Sequence, residues 1–142
     1  MDKRKKIISQ EQKTKADAQL IELQRRVDYD TKDYTVELIV GKFKQGEFFI
    51  PEYQRDFIWA EKNRSSFIES VLLGLPIPFM FFGDCDDGKM EIIDGVQRIN
   101  TLVYFIENQL TLRELPKLTK LNGFSFSDLT EAQQRRFNNK SL

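Results

Sequence analysis

The segment Ile93–Thr101, IDGVQRINT, brings an acid, a glycine, an amide, a guanidinium and a hydroxyl into one short stretch of chain. These types suit a polyanion. Arg98 can fork onto phosphate oxygens, and Asp94 can hold a hydrated Mg²⁺. Gly95 admits a backbone conformation closed to other residues and lets a ligand approach the main chain, while Gln97 and Thr101 add an amide and a hydroxyl. Met90–Ile93 reads as a strand, and Leu102, Val103, Phe105 and Ile106 recur at helical spacing, so the turn falls at a helix N-terminus. N–H groups without intrahelical partners and the positive end of the helix dipole favour phosphate there. The plainer reading is an Asp-Gly turn followed by two solvated residues in the first turn of a helix.

A second constellation, Ile50–Trp59, reads IPEYQRDFIW. Tyr53, Gln54 and Arg55 lie beside two further aromatic residues, a mixture that suits base stacking and phosphate contact. Against this stands ordinary packing, with Phe57 and Trp59 as core anchors and Arg55 covering apolar surface with its stem. Trp59, the only tryptophan, reads as packed.

Taken in order, IPEYQRDFIW, then NRSSFIESVLLGLPIP (Asn63–Pro78), then EIIDGVQRINTLVYF resembles the N-terminal domain of GmrSD-type restriction proteins. That pattern runs IPxYQRxYxW, a helix ending in GxPxP, and DGQQRxxTL, and the match covers about the middle half of the chain. The resemblance implies an α+β domain of ParB-like or sulfiredoxin-like shape, with a small mixed sheet packed by helices. It implies a nucleoside triphosphate and Mg²⁺ as ligands. Carried over by position, Asp94, Gln97 and Arg98 would be catalytic, and Asp94 would hold the metal. Tyr53, Gln54, Arg55, Asp94, Gly95, Gln97, Arg98 and Thr101 would bind the nucleotide or form the neighbouring DNA-sensing surface. The implied partners are DNA, modified or not, and a nuclease domain or subunit, in a phage-defence system that restricts modified DNA. Proteins of this kind continue into further strands and then a helical or nuclease region, so a chain ending at Leu142 is expected to be a fragment or a shortened form.

One position departs from the pattern. Val96 stands where the family has its first glutamine. If that amide orients water, as Gln does at other phosphoryl-transfer sites, Val96 slows hydrolysis and leaves phosphate binding in place.

Composition excludes several chemistries. The 142 residues contain no histidine, which removes Ser-His and Cys-His catalysis, HNH nucleases and the common zinc enzymes. The Glu11-x-Lys13 spacing lies in a polar segment, away from a strand with a suitable aspartate, so a PD-(D/E)xK nuclease is not expected either. Cys85, among Asp84, Asp86 and Asp87, reads as a loop residue in a reducing compartment, and those acids read as a solvated turn because the Ca²⁺-loop glutamate is missing. With 40% hydrophobic residues and zero formal net charge, the chain reads as one cytoplasmic domain without a membrane segment or a global basic field. Any DNA contact would need a local basic patch.

The elements that must position the turn follow from periodicity. Residues 1–30 form a polar extension with a helix, capped by Ser9 and Gln12 and striped by Ala16, Leu20, Leu23 and Val27. That stripe is open to docking on the domain's own surface or to a homodimer or partner helix. The domain proper, 31–142, begins with a helix from Thr35 that carries Val36, Ile39, Val40 and Phe43 inward and ends at Gly46. A strand over Glu47–Ile50 and a helix from about Asn63 to Leu73 follow. Phe79–Phe82, apolar on both faces, is expected as a buried central strand joined by the Gly83–Gly88 loop to Met90–Ile93. A helix over Arg98–Asn108 and a last one from Thr130 complete the expectation.

Two functional readings stay open. In one, the chain is a nucleotide-binding regulatory domain, with or without weak NTPase activity, in which occupancy of the turn is coupled to DNA contact. In the other it is a non-catalytic DNA-binding or adaptor module on the same fold. A kinase or sulfiredoxin-like enzyme is a distant third, for which Cys85 is misplaced.

Overall fold

The computed structural model describes residues 5–26, 31–52 and 58–142, with the side chains of 24–26 excepted. Tyr53, Gln54 and Arg55, and Val27 of the N-terminal stripe, lie outside the described residues. The chain divides into two compact units, Met1–Lys32 and Asp33–Leu142.

In the first unit, helix α1 (Gln10–Arg26) follows a complete capping box. Gln12 N–H donates to Ser9 Oγ at 3.2 Å, and Ser9 N–H donates to Gln12 Oε1 at 2.9 Å. Its apolar residues Leu20, Ile21 and Leu23 are exposed.

The second unit begins at Thr35, whose hydroxyl accepts the Leu38 N–H and caps α2 (Val36–Lys44). Val36, Ile39 and Val40 face the core, as the spacing predicts. Gly46, at φ +80°, ends the helix in a Schellman turn: Gly46 N–H reaches Phe43 O and Glu47 N–H reaches Lys42 O. The chain then runs through β1 (Phe48–Phe49), α3 (Glu61–Leu73), β2 (Phe81–Asp84), β3 (Met90–Asp94), α4 (Val96–Ile106) and α5 (Glu131–Asn138), with 3₁₀ turns at Thr119–Leu121 and Phe126–Asp128. The class is α+β, as expected. Gly74, left-handed at φ +72°, closes α3 in the same manner as Gly46 closes α2.

The strand order is β1-β3-β2, with β3 parallel to β1 and antiparallel to β2. This corrects one expectation. The central strand is β3, and the apolar run Phe79–Phe82 lies at the sheet edge, with Phe79 73% and Phe81 57% exposed. Residues 78 and 79 turn their carbonyls to Arg98 instead of to a strand, so the ladder starts only at Phe81, with an irregularity before Phe82. Met80 and Phe82 pack against the core, the Phe82 ring 4.6 Å from that of Phe48.

Beneath the sheet, Ile92, Ile99, Leu102, Ile68 and Val71 join one buried cluster of the sheet with α3 and α4. Phe105, Phe126 and Phe137 bring α4, a 3₁₀ turn and α5 together, with ring centroids 5.2–5.9 Å apart. Polar ties fix the long segment after α4. Glu69, buried on α3, accepts the Lys117 and Leu118 N–H groups at 3.1 and 2.9 Å, and Ser65 Oγ accepts the Arg113 N–H at 3.0 Å. The last residues return to the start of the unit, where Val36 N–H donates to Lys140 O and Leu142 N–H to Tyr34 O. Among the described residues no helix is long and apolar enough to cross a membrane.

Candidate functional site

The central strand delivers Asp94 to the start of α4, and Gly95 makes the turn between them. Gly95 sits at φ +120°, ψ 8° as the N-cap of the helix. A β-carbon there would lie 2.9 Å from Met80 Cγ and 3.1 Å from Met80 Cβ, so the β2 side of the hairpin leaves room for no side chain. Both the dihedral and the clearance require glycine. The helix starts at Val96, two residues before the Arg98 start expected from the apolar spacing. Gln97 and Arg98 therefore belong to its first turn, and Gly95 offers that turn no side-chain cap.

Arg98 is 12% exposed at its side chain and points back across the hairpin. Nη1 donates to the Pro78 carbonyl and, at 3.4 Å, to that of Phe79, while Nη2 lies 3.4 Å from Asp94 Oδ2. The Asp94 carboxylate is 62% exposed. Arg98 thus binds the linker after α3 to the turn and presents its remaining side to the Asp94 carboxylate. Gln97 Oε1 accepts the backbone N–H of Trp59 at 2.8 Å, which joins the turn to the chain just before α3. Trp59 packs edge-on against Phe67 at 6.0 Å, in line with its reading as a packed residue.

Two positions point inward. Thr101 is fully buried, and its hydroxyl donates to the Gln97 carbonyl at 2.7 Å. It holds the first helical turn and is not presented to a ligand, which corrects its placement on the binding surface. The spacing to Arg98 placed Thr101 on the helix but did not say which face it takes. Val96 is 5% exposed within the core cluster. A side chain at position 96 follows that inward direction, so the departure from the family glutamine lies in the packing beneath the turn.

The structure therefore brings Asp94, Gly95, Gln97 and Arg98 together and turns Thr101 away, while Tyr53, Gln54 and Arg55 lie outside the described residues. Sequence reasoning missed the contributors that act through backbone or bulk: the carbonyls of Pro78 and Phe79, the Trp59 N–H and the Met80 side chain. Only the prolines of GLPIP gave a signal, since they keep the chain extended with its carbonyls turned out of any ladder.

Asp94 is a single exposed carboxylate, and among the described residues no group of three metal-ligating side chains comes together. Such a donor set fits Mg²⁺ carried on phosphate oxygens, which needs one or two carboxylates, and does not fit a caged metal. Cys85 lies in the hairpin loop, where its N–H donates to Lys89 O and Asp87 Oδ1 accepts the Lys89 N–H, so the acidic run closes a turn. A groove of about 330 Å³ between Gly74–Ile77 and Lys140–Leu142 involves none of the turn residues.

Comparison with curated proteins returned no match, and neither did comparison with solved structures. Residues 36–142, from the first residue of α2 through the whole turn, match the family model described as GmrSD restriction endonuclease, N-terminal domain, and the chain belongs to that family.

Proposed function

We propose that this chain is a nucleotide-binding regulatory domain of a restriction system, taking a nucleoside triphosphate with Mg²⁺ at the Asp94–Arg98 turn. The observation that carries the reading is the pairing of Arg98 with Asp94 at the uncapped N-terminus of α4. A guanidinium, a first helical turn and an exposed carboxylate meet at one turn, and a phosphate chain with its cation needs that set. Arg98, fixed by the Pro78 and Phe79 carbonyls, receives the ligand without first being ordered. When bound, Mg²⁺ would neutralise phosphate charge beside the Asp94 carboxylate. Family membership supports a place in a restriction system. A ParB-like relationship, DNA contact and control of a nuclease are parts of the proposal.

Hydrolysis is the weaker half of this reading. Val96 is packed in the core, and the Gln97 side-chain oxygen Oε1 is engaged by Trp59 N–H, so neither is placed to orient water. Binding with slow turnover is the form of the function that this geometry favours.

The test is titration calorimetry with GTP, ATP and CTP in Mg²⁺, comparing the wild type with Arg98→Ala. One nucleotide should bind, and removing a charge-assisted contact worth about 1.5–3 kcal/mol should weaken it roughly 10- to 150-fold. Absence of binding of all three at millimolar concentration would overturn the proposal in favour of a nucleotide-independent adaptor.

A further inference from the structure

The Gln97 side chain leaves the turn and grips a distant stretch of chain. Its Oε1 accepts the Trp59 N–H at 2.8 Å in partly buried surroundings, across 38 residues of sequence. Both ends of this contact are anchored. Thr101 Oγ1 holds the Gln97 carbonyl at 2.7 Å, which fixes the Gln97 main chain in the first turn of α4. The Trp59 indole lies edge-on against Phe67, and Phe67 is buried on α3. Trp59 also directly precedes Ala60, the N-cap of α3, and that cap makes no side-chain hydrogen bond. One amide therefore joins the starts of two core helices, and one of those starts is the candidate phosphate turn.

We infer, resting on the nucleotide reading above, that Gln97 is a positioning residue that relays occupancy of the turn to Trp59 and the start of α3. A ligand that engages the first-turn N–H groups of α4 adds its own constraint on the main chain at residue 97 to that of the Thr101 hydroxyl. The short amide side chain, already held at its far end, passes that constraint to the Trp59 backbone. A glutamine whose oxygen is engaged by a main-chain donor serves this relay and is poorly disposed to align an attacking water.

Trp59 is the only tryptophan, so its emission reports on this point alone. The experiment uses the full chain as wild type, Gln97→Ala and Gln97→Glu, with Gln97→Met replacing the alanine variant should that fail to fold. Backbone amide exchange at Trp59 is measured first, without nucleotide. Protection should persist in Gln97→Glu, which keeps an acceptor oxygen, and exchange should quicken about tenfold or more in Gln97→Ala on loss of a partly buried hydrogen bond. Trp59 emission is then followed to saturation with whichever of GTP, ATP or CTP binds the wild type in Mg²⁺. A shift should appear in the wild type and vanish at saturation in Gln97→Ala. Equal Trp59 protection in Gln97→Ala and wild type overturns the tie, and an undiminished emission shift overturns the relay. Calorimetric binding abolished in Gln97→Ala would make Gln97 a ligand contact and overturn its positioning role. A wild type that binds no nucleotide defeats the phosphate reading and the relay with it, while the exchange comparison, which needs no ligand, still decides the tie.

Discussion

Gly95→Ala is the sharpest test of how the turn is built, because two independent costs meet at one atom. The first is conformational. At φ +120° an L-residue lies outside its allowed regions, and holding a non-glycine residue in such a conformation costs on the order of 1–3 kcal/mol. The second is steric. The new β-carbon would stand 2.9 Å from Met80 Cγ, 3.1 Å from its Cβ and 3.2 Å from its Sδ. The two nearest atoms are close to the Met80 backbone, so the side chain cannot swing its tip aside, and overpacking of this kind costs roughly 1–3 kcal/mol. Shared relaxation keeps the sum below simple addition, and a loss of about 2–4 kcal/mol is expected, a large part of the 5–15 kcal/mol typical of a domain. Urea unfolding of wild type, Gly95→Ala, Met80→Ala and the double variant separates the terms. In the Met80→Ala background, which removes the Cγ and Sδ contacts and keeps the Cβ contact at 3.1 Å, the penalty of Gly95→Ala should fall toward its conformational part of about 1–3 kcal/mol, with a coupling energy on the order of 1 kcal/mol. A Gly95→Ala loss below about 0.5 kcal/mol, within the range of ordinary surface substitutions, would refute the argument.

Val96→Gln, which restores the residue of the family pattern, should lower stability by about 1–3 kcal/mol, because the amide would be buried where Val96 is 5% exposed. A phosphate-release assay should show no gain in turnover, and faster hydrolysis with unchanged stability would count against the inward placement. Glu69→Ala should cost about 2–4 kcal/mol in denaturant unfolding by stranding the Lys117 and Leu118 N–H groups, while Glu69→Gln, which keeps an acceptor, should cost less than half as much. Asp94→Asn should leave stability within about 0.5 kcal/mol, since the Asp94 carboxylate is 62% exposed and stands 3.4 Å from Arg98. Calorimetry should show that it removes the Mg²⁺ dependence of nucleotide binding, and retention of full Mg²⁺ dependence would show that Asp94 is not the metal ligand.

The helices were legible because local chemistry decides them. Ser9 with Gln12, Thr35, Gly46 and Thr130 mark their ends by side-chain oxygens or by the absence of a β-carbon, and the caps formed where those residues stand. The start of α4 was misplaced by two residues because Gly95 caps it through dihedral freedom, without a side-chain bond. The strand Phe81–Asp84 was harder to read. Its apolar run looks the same at a centre or at an edge, and the outcome depended on Arg98, a residue from another element, taking the carbonyls of Pro78 and Phe79. The turn's composition was visible, but the direction of each side chain was not. Val96, Gln97 and Thr101 stand within two helical turns, yet one packs inward, one reaches across to Trp59 and one caps the backbone beside it.

Under the proposed function Arg98 would serve the fold and a ligand at once, and its two sets of contacts differ in how readily they are given up. The bonds to Pro78 and Phe79 engage main-chain carbonyls from a side chain only 12% exposed. Breaking the Pro78 bond gives up a hydrogen bond from a charged donor, of a class worth about 1.5–3 kcal/mol. The contact with Asp94 joins Nη2 to a carboxylate that is 62% exposed and separated by 3.4 Å, a solvated ion pair worth on the order of 1 kcal/mol or less. An incoming phosphate oxygen would therefore replace Asp94 at Nη2 and leave Nη1 on the linker. That exchange would free the Asp94 carboxylate for a cation carried on the phosphates, so the Arg98–Asp94 pair, once parted, would meet both charges of the proposed ligand. The linker held by Nη1 would not move, and the response to occupancy would travel through Gln97 and Trp59 instead of through Pro78 and Phe79.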